Sequence, residues 1–327
     1  MISKRVLDLD PEPAIDRIAA AIRRIVLDEL RRRGAVVAIS GGIDSAVVAA
    51  LCARALGPQR VVGLFLPEQE SSPESLALGR RVAESLGIEA HVVELTPALD
   101  ALGCYRQRDD AIRRAVPEFG AGWRAKLVLP PLGEHGRMNV FSVVARSPGG
   151  DERRVRLPLD AYLEIVAASN MKQRTRTLVA YHHAERRHYA VAGTPNRLEY
   201  DQGFFVKGGD GLADLKPIAH LYKTQVYALA AALGVPDEVR SRPPTTDTWS
   251  LQQTEEEFYF GLPYGQLDLC LWAHNHGVPA EKAADAIGLT ASRVEGVYRD
   301  IESKRRATRS LHLAALLVEP VDEIDTH

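Results

Sequence analysis

The sequence predicts an α/β fold: a doubly wound, mostly parallel sheet with an inserted β-hairpin and C-terminal helices. Three observations lead to this prediction. The apolar run at 36–39 precedes a glycine turn and an apolar helix, the order expected of a strand buried on both faces and the helix that follows it. Strand-like and helix-like segments alternate to about residue 96, as in parallel sheets. From about 104 to 158 the alternation stops, which indicates an insertion.

Composition narrows the class of protein. The 327 residues are enough for one large core or two smaller ones. The formal net charge of −2 argues against a surface that coats nucleic acid, so nucleic acid is not an expected partner. No apolar run is long enough for a membrane span, and the first residues have no signal-peptide core. The three cysteines form no CxxC pair, which favours a reduced, cytoplasmic protein without zinc.

The first part of the chain is predicted to alternate between helix and strand. Isoleucines and leucines at helical spacing precede the first strand. Ser72 is suited to begin a helix and Gly87 to end one. The predicted elements are a helix at 13–33, a strand at 36–39, a helix from Asp44 to Gly57, a strand at 60–67, a helix from Ser72 to Gly87 and a strand at 89–96.

The insertion at about 104–158 contains strand-like sequence at 123–131 and 138–144, and SPGGDE is typical of a hairpin turn. We predict a small β-hairpin there, which could be a flap over the site, an oligomer contact or a surface decoration. After it, we predict a helix at 160–185, a strand at 189–195, a helix at 222–233 and helices from Asp268 onward. We expect residues 1–268 to form one domain, with 269–327 as a helical segment of that domain.

The turn Ser40–Ser45 carries the clearest functional signal. Its glycines allow the backbone to approach phosphate oxygens, and the N–H groups and helix dipole converge there. The common phosphate loop needs a lysine, yet no lysine lies between Arg33 and Lys126. Asp44 would instead face phosphate through a divalent metal, which predicts ATP with Mg²⁺. The alternative is an ordinary strand–turn–helix capped by Asp44 or Ser45.

Polar residues recur after the later predicted strands, although each one alone is more often a surface residue. Glu199 could complete a Mg²⁺ site with Asp44. Lys207 and Lys223 could neutralise charge on phosphates or on a substrate carboxylate. The segment 244–246 could hydrogen-bond a phosphate. The residues noted in this way are Thr194, Glu199, Lys207, Asp210, Asp214, Lys223 and Thr245.

SGGIDS resembles the pyrophosphate loop of the ATP-pyrophosphatase enzymes. GTPNRLE, GFFVKGGDGLAD, LYKTQ and PPTTD follow in an order that closely resembles NAD⁺ synthetase. Asn170, Arg174 and Arg176 match that family's Asn-x-x-x-Arg-x-Arg element, and the resemblance covers about 35–87 and 169–268. It implies a Rossmann-like sheet of the ATP-pyrophosphatase type. It also implies a ligase that adenylates the carboxylate of deamido-NAD⁺, then uses ammonia to give NAD⁺, AMP and pyrophosphate.

The resemblance also implies roles for individual residues, with Asp44, Lys223 and Thr245 as the catalytic ones. No side-chain nucleophile is required. The implied ATP contacts are Ser40, Gly41, Gly42, Asp44, Ser45, Thr194, Lys223 and Thr245. The implied Mg²⁺ ligands are Asp44 and Glu199. The implied contacts to deamido-NAD⁺ are Asn170, Arg174, Lys207, Asp214, Lys304 and Arg305.

Some features differ from the family pattern, and they lie on the side of the carboxylate substrate: Pro195, Val206, Gly208 and the insertion. A diverged adenylating ligase for another carboxylate is therefore one alternative, and a non-catalytic nucleotide-binding protein is another. A helix-turn-helix reading of 278–301 gives a third, DNA-binding alternative. Because the first sheet strand begins near residue 35, we expect no glutaminase domain, but direct use of ammonia or a separate glutaminase as partner. The family also suggests a homodimer.

Overall fold

The computed structural model describes residues 3–128, 141–245, 249–251, 253–254, 259–319 and 321. Its first part alternates between helix and strand, as predicted. Ser72 accepts a hydrogen bond from the Glu74 N–H and begins a helix, and Gly87 ends it in the left-handed conformation. The elements are α1 Pro11–Arg23, continued by a wider turn to Glu29, β1 Ala35–Ala38, α2 Ile43–Leu56, β2 Val61–Phe65, α3 Pro73–Leu86 and β3 Glu89–Val92.

The insertion is larger than the predicted hairpin. Its described part contains helix α5 and a three-stranded antiparallel sheet in the order β4-β5-β6. The predicted turn joins β5 to β6, where Ser147 and Asp151 close the loop. Residues 129–140, which include parts of both predicted strands, lie outside the described residues. The elements are α4 Thr96–Ala101, α5 Cys104–Arg113, β4 Arg124–Val128, β5 Ser142–Arg146 and β6 Glu152–Arg156.

The rest of the chain returns to one strand and then continues mainly as helices. The helical C-terminal part begins at Tyr264, four residues before the predicted start. The division of the chain at residue 268 itself stays a prediction. The elements are α6 Leu159–Glu185, β7 Ala190–Ala192, α7 Arg197–Gln202, α8 Lys223–Ala232, α9 Asp237–Ser241, α10 Tyr264–Asn275, α11 Ala280–Ile287 and α12 Ala291–His312.

The central sheet is parallel and has the strand order β3-β2-β1-β7. Successive residues of β1 face opposite layers: Val37 packs in the apolar cluster with α1, α2 and α8, and Val36 packs in the cluster with α4 and α6. The sheet is therefore covered on both faces, as a doubly wound fold requires. Since all four strands run the same way, the segments after β1, β2 and β7 emerge at one edge.

A buried ionic network joins the segment after β2 to α5 and α6. The Lys172 ammonium lies 3.0 Å from Glu68 Oε1 and also contacts Glu70. Glu70 accepts from Arg108 at 2.6 Å, and the Tyr105 hydroxyl donates to Glu68 at 2.9 Å. Burial alone would raise the pKa of Glu70, but Lys172 and Arg108 outweigh it and lower that pKa. Removing one member of such a buried pair typically costs about 3–5 kcal/mol. The network therefore holds α5 against α6 and the segment after β2.

Among the described residues, no helix combines the length and the apolar character that crossing a membrane would need.

Candidate active site

The turn between β1 and α2 is held in shape by its own serines. Ser45 donates its hydroxyl to the Gly42 carbonyl at 2.9 Å and accepts from the Ser40 N–H at 3.2 Å. The Ser40 hydroxyl accepts from the Gly42 N–H at 3.3 Å. The first N–H groups of α2 have no acceptor within the helix, and Gly42, which precedes α2, has no side chain that could cap them. This arrangement suits an anion such as phosphate.

Gly41 is the position in this turn that only glycine can occupy. Its φ of +79° lies in the left-handed region, and a Cβ there would lie 2.3 Å from the Ser75 carbonyl oxygen of α3. At Gly42 a Cβ would meet only the Ser40 hydroxyl, at 3.3 Å. The turn is therefore pressed against the start of α3 on one side and open on the other.

The segment that leads to Thr245 is anchored near the same turn. Arg242 donates to the Ser75 hydroxyl at 3.1 Å, and Ser75 is the residue whose carbonyl lies under Gly41. Thr245 forms a single antiparallel bridge with Thr254. Between these two, Ser250 accepts from the Ala125 N–H of β4 at 2.9 Å. This part of the chain is therefore bonded to α3 at Arg242 and to the insertion sheet at Ser250.

Asp44, in the first turn of α2, contacts two residues from distant parts of the chain. One carboxylate oxygen accepts from the Lys223 ammonium, and the other accepts from the Asn196 amide at 3.2 Å. The backbone N–H of Asn196 donates to the Glu199 carboxylate at 2.9 Å. The two carboxylates proposed from the sequence as metal ligands are thus brought together through one asparagine. Thr194 follows β7 at the same edge of the sheet, since β7 lies beside β1.

Lys223 is fully buried at the first position of α8, and two residues of α10 surround it. Its ammonium lies 5.1 Å from the centroid of the Tyr264 ring. Asp268 accepts from the N–H groups of Lys223 and Thr224 at 3.3 and 2.8 Å and so caps α8. Burial raises the pKa of Asp268 to about 6, and these two N–H bonds oppose the rise. The cap and the aromatic ring therefore place Lys223 beside Asp44.

Two carboxylates are a suitable protein contribution to a Mg²⁺ site. Among the described residues, no three His, Cys, Asp or Glu side chains form a metal-binding group. Mg²⁺ nevertheless binds nucleotides through one or two carboxylates, with phosphate oxygens and water completing its shell. Asp44 and Glu199 beside an open phosphate-sized turn fit that donor set.

Lys207, predicted to contact the dinucleotide, is bonded to the end of α12. Its ammonium donates to the carbonyls of Ser310 and Leu313 at 2.9 and 3.0 Å. Around it, the ring of His312 packs edge-on against Tyr200 and Phe205 at 5.0 and 5.1 Å. The end of α12 therefore supports the glycine-rich loop that follows α7.

Four of the other predicted dinucleotide contacts also have partners within the protein. Arg305 makes two bonds to Asp201 at 2.7 and 2.8 Å. Lys304 donates to the Tyr259 carbonyl at 2.7 Å and pairs with Asp300. Asp214 accepts from the Val191 N–H of β7 and the Tyr181 hydroxyl. Arg174 is exposed and donates to the Lys207 carbonyl, and Asn170 is partly buried on the same helix, α6.

Sequence reasoning missed Asn196, Ser75, Tyr264 and Asp268 as parts of this site. Asn196 did leave a local signal, because asparagine three residues before glutamate is the pattern of a capping box, and the structure contains one. Ser75, Tyr264 and Asp268 left no local signal, since each contacts a residue that is distant in the chain.

One family model matches most of the chain. The family model described as NAD synthase matches residues 14–119 and 156–308. The chain belongs to the NAD synthase family. The unmatched stretch, residues 120–155, contains β4, β5 and all but the last residue of β6. The matched ranges contain the central sheet, the turn Ser40–Ser45 and the helices α6 and α8, and they also contain α5, which lies in the predicted insertion. The insertion sheet lies almost entirely outside them.

Relatives in this family match almost the whole chain. The NH(3)-dependent NAD(+) synthetase of Rhizobium rhizogenes is 56% identical over 321 residues, which is 98% of this chain and 96% of the relative. The enzyme of the same name from Rhizobium meliloti is 54% identical over 325 residues, 99% of this chain and 97% of the relative. One from Thermotoga maritima is 35% identical over 286 residues, covering 87% of this chain and 93% of that protein.

Two solved structures share the fold at low sequence identity. NMN synthetase from Francisella tularensis has a TM-score of 0.66 at 22% identity and covers 95% of this chain and 99% of its own. The NH3-dependent NAD synthetase from Campylobacter jejuni, in complex with the nitrate ion, has a TM-score of 0.61 at 21% identity and covers 95% and 100%. Sheet and helices are thus shared well beyond the range of close sequence similarity.

Gly41→Ala should destabilise the protein much more than Gly42→Ala does. The left-handed conformation alone costs a side chain about 1–2 kcal/mol, and at Gly41 the added carbon would also collide with the Ser75 carbonyl. We expect Gly41→Ala to lower the free energy of unfolding by more than about 2 kcal/mol and Gly42→Ala by less than about 1 kcal/mol. Urea unfolding of both variants measures this difference, and equal losses would contradict the close approach to α3.

Proposed function

We propose that this protein is an ammonia-dependent NAD⁺ synthetase, which converts deamido-NAD⁺, ATP and ammonia into NAD⁺, AMP and pyrophosphate. The observation that carries the proposal is the identity of 54–56% over nearly the whole length to enzymes of that name. The site geometry supports it, because an open phosphate turn, a buried lysine and two nearby carboxylates suit the transfer of an adenylyl group.

In this reaction an oxygen of the nicotinate carboxylate attacks the α-phosphorus of ATP. The bond between that phosphorus and the bridging oxygen breaks, and pyrophosphate leaves. Ammonia then attacks the carboxyl carbon of the adenylate, AMP leaves, and the nitrogen loses its extra proton. No protein nucleophile takes part, so positioning and charge neutralisation are the tasks left to the side chains.

The turn Ser40–Ser45 would hold the β- and γ-phosphates with its N–H groups, and Thr194 and Thr245 would add contacts from neighbouring segments. Asp44 and Glu199 would hold Mg²⁺, which neutralises phosphate charge when it is bound. Lys223 pairs with Asp44, and its ammonium could also neutralise the charge that develops on the leaving pyrophosphate.

The dinucleotide would lie toward α6 and the loop after α7. Asn170, Arg174, Lys207 and Asp214 border this region, and Lys304 and Arg305 on α12 would act there mainly by holding α7 and the segment near Tyr259 in place. For Lys207 to bind a phosphate or carboxylate, it must exchange the Ser310 and Leu313 carbonyls for the substrate.

Ammonia would enter as free NH₃ or from a separate glutaminase partner. A cytoplasmic location stays a prediction of the cysteine pattern. The substrate assignment can be tested by ATP–pyrophosphate exchange with deamido-NAD⁺, nicotinate mononucleotide and other carboxylates.

We expect exchange with deamido-NAD⁺ and NAD⁺ formation with ammonium, but not with glutamine alone, in the purified protein. Exchange only with another acid would favour a diverged ligase. Exchange with none of the acids would favour a nucleotide-binding protein without this activity. Turnover with glutamine as good as with ammonium would contradict direct use of ammonia.

Asp44→Asn should lower kcat by at least about 10²-fold, because it removes the charge that the proposed metal and Lys223 share. It should also lower the free energy of unfolding, because it removes the charge that pairs with the fully buried Lys223 ammonium. The matched control is Asp16→Asn, which removes an exposed carboxylate that pairs with Arg54. Steady-state assays and urea unfolding of both variants check this, and near-normal turnover of Asp44→Asn would contradict its role.

We also propose a homodimer formed through the exposed face of α6. Leu163 and Leu178 on this helix are 56% and 70% exposed. Asn170 and Arg174 lie between them at helical spacing, on the same face. A second copy placed there would cover the leucines and lie beside the proposed dinucleotide site.

Light scattering should show a dimer for the native protein and a monomer for the double variant Leu163→Glu, Leu178→Glu. Burying two new carboxylates against an apolar surface is unfavourable. Leu102→Glu is the control, because Leu102 is similarly exposed, at 55%, but lies between α4 and α5. A native monomer at assay concentration, or a dimer that survives the double substitution, would contradict this interface.

A further inference from the structure

Asn196 is a fully buried residue that contacts both proposed metal-binding carboxylates. Its side-chain amide nitrogen donates to Asp44 Oδ1 at 3.2 Å, and its backbone N–H donates to Glu199 Oε2 at 2.9 Å. Its side-chain oxygen accepts from the N–H groups of Leu198 and Glu199 at 2.9 and 3.2 Å. Every polar group of the side chain is therefore used.

The orientation of this amide follows from its surroundings. The oxygen must face Leu198 and Glu199, because two N–H groups point at it and an NH₂ group could not accept from them. The nitrogen then necessarily faces Asp44, whose carboxylate can only accept when it is ionised. Reversing the amide would place donors against donors and an oxygen against the carboxylate.

A helix cap alone does not require asparagine here. Serine, threonine and aspartate begin helices about as well, since the cap needs only a side-chain oxygen. Serine and threonine would cap α7, but their single hydroxyl ends one bond nearer the backbone than the asparagine amide nitrogen, which already lies 3.2 Å from Asp44 Oδ1, and so it would lie farther from that carboxylate. Aspartate would cap α7 but would set a second anionic oxygen against Asp44. Asparagine is the residue that both caps the helix and donates to the carboxylate.

The consequence concerns the geometry of the two carboxylates. Asp44 is on α2 and Glu199 is on α7, so their relative orientation depends on a link between the two helices. Asn196 forms such a link with one hydrogen bond to each carboxylate. Each carboxylate oxygen has a second lone pair and so can still bind a metal. Mg²⁺ tolerates little departure from octahedral geometry, and partners that orient its ligands typically change metal affinity by about 10–100-fold.

We propose that Asn196 is a positioning residue that sets the relative orientation of Asp44 and Glu199 for the metal–nucleotide complex. This inference rests on the proposed role of these two carboxylates in binding the metal. Asn196 contacts the metal ligands and not the reacting atoms. Its substitution should therefore change the metal dependence of the reaction more than its maximal rate or the KM for deamido-NAD⁺.

The main test is Asn196→Ser, which keeps a cap oxygen and removes the amide donor. The half-saturating Mg²⁺ concentration should rise about 10–100-fold, with most of kcat recovered at saturating Mg²⁺. Binding of Mn²⁺ in the presence of a non-hydrolysable ATP analogue, followed by electron paramagnetic resonance, should weaken by a similar factor. The control is Thr290→Ala, which removes the cap of α12 and should lower the melting temperature without changing the metal dependence.

Asn196→Asp is the second variant, because it retains the cap oxygen even if the serine is too short to hold α7. It should also raise the half-saturating Mg²⁺ concentration, since the new carboxylate repels Asp44 and turns it away from Glu199. Unchanged metal dependence in either folded variant would overturn the inference. A lower melting temperature of Asn196→Ser, like that of Thr290→Ala, would then show Asn196 to be only a cap.

Asp44→Asn and Glu199→Gln separate this inference from the proposed function. If these variants keep native Mn²⁺ binding, the metal assignment is wrong, and the inference is overturned with it. If they lose Mn²⁺ binding and the two Asn196 variants keep it, the metal assignment stands and only the positioning role fails. Loss of binding in all four supports both.

Discussion

The rest of the site depends on the contacts that the Asp44 carboxylate makes with Lys223 and Asn196. Lys223 is fully buried, and a buried ammonium without a partner is strongly unfavourable. Its pairing with Asp44 therefore ties the start of α8 to the start of α2. Asn196 ties the segment after β7 to the same carboxylate. The starts of α2 and α8 and the segment after β7 therefore meet at the Asp44 side chain, which belongs to the turn Ser40–Ser45.

The turn Ser40–Ser45 depends on the close approach of its backbone to the start of α3. Gly41 packs against the Ser75 carbonyl, and Ser75 also binds Arg242. The same few atoms thus connect the turn, the start of α3 and the segment that leads to Thr245. The insertion sheet contributes to this arrangement, because β4 binds Ser250 and Gln253 farther along that segment. An addition to the family fold has become a support for a segment near the proposed ATP site.

The two sides of the site differ in how their side chains are partnered. On the proposed ATP side the turn Ser40–Ser45 is bonded mainly to itself, because the Ser40 and Gly42 N–H groups donate to serine hydroxyls of the turn. On the proposed dinucleotide side Lys207, Lys304 and Arg305 are bonded to carbonyls and carboxylates from other parts of the chain. The end of α12 is therefore part of the proposed substrate region, although it lies about one hundred residues from the glycine-rich loop that it supports.

The sequence by itself determined the fold class, the order of strands and helices up to β3 and the turn Ser40–Ser45, because apolar periodicity, helix caps and glycine turns are local properties of the chain. Its motifs also led to the family. Only the tertiary structure decided that Asn196 links Asp44 to Glu199, that Asp268 caps α8, that Glu68 and Lys172 form a buried network and that the insertion is a three-stranded sheet. These contacts join residues up to about 150 positions apart, and pairing over such distances leaves no periodic or local pattern in a single sequence.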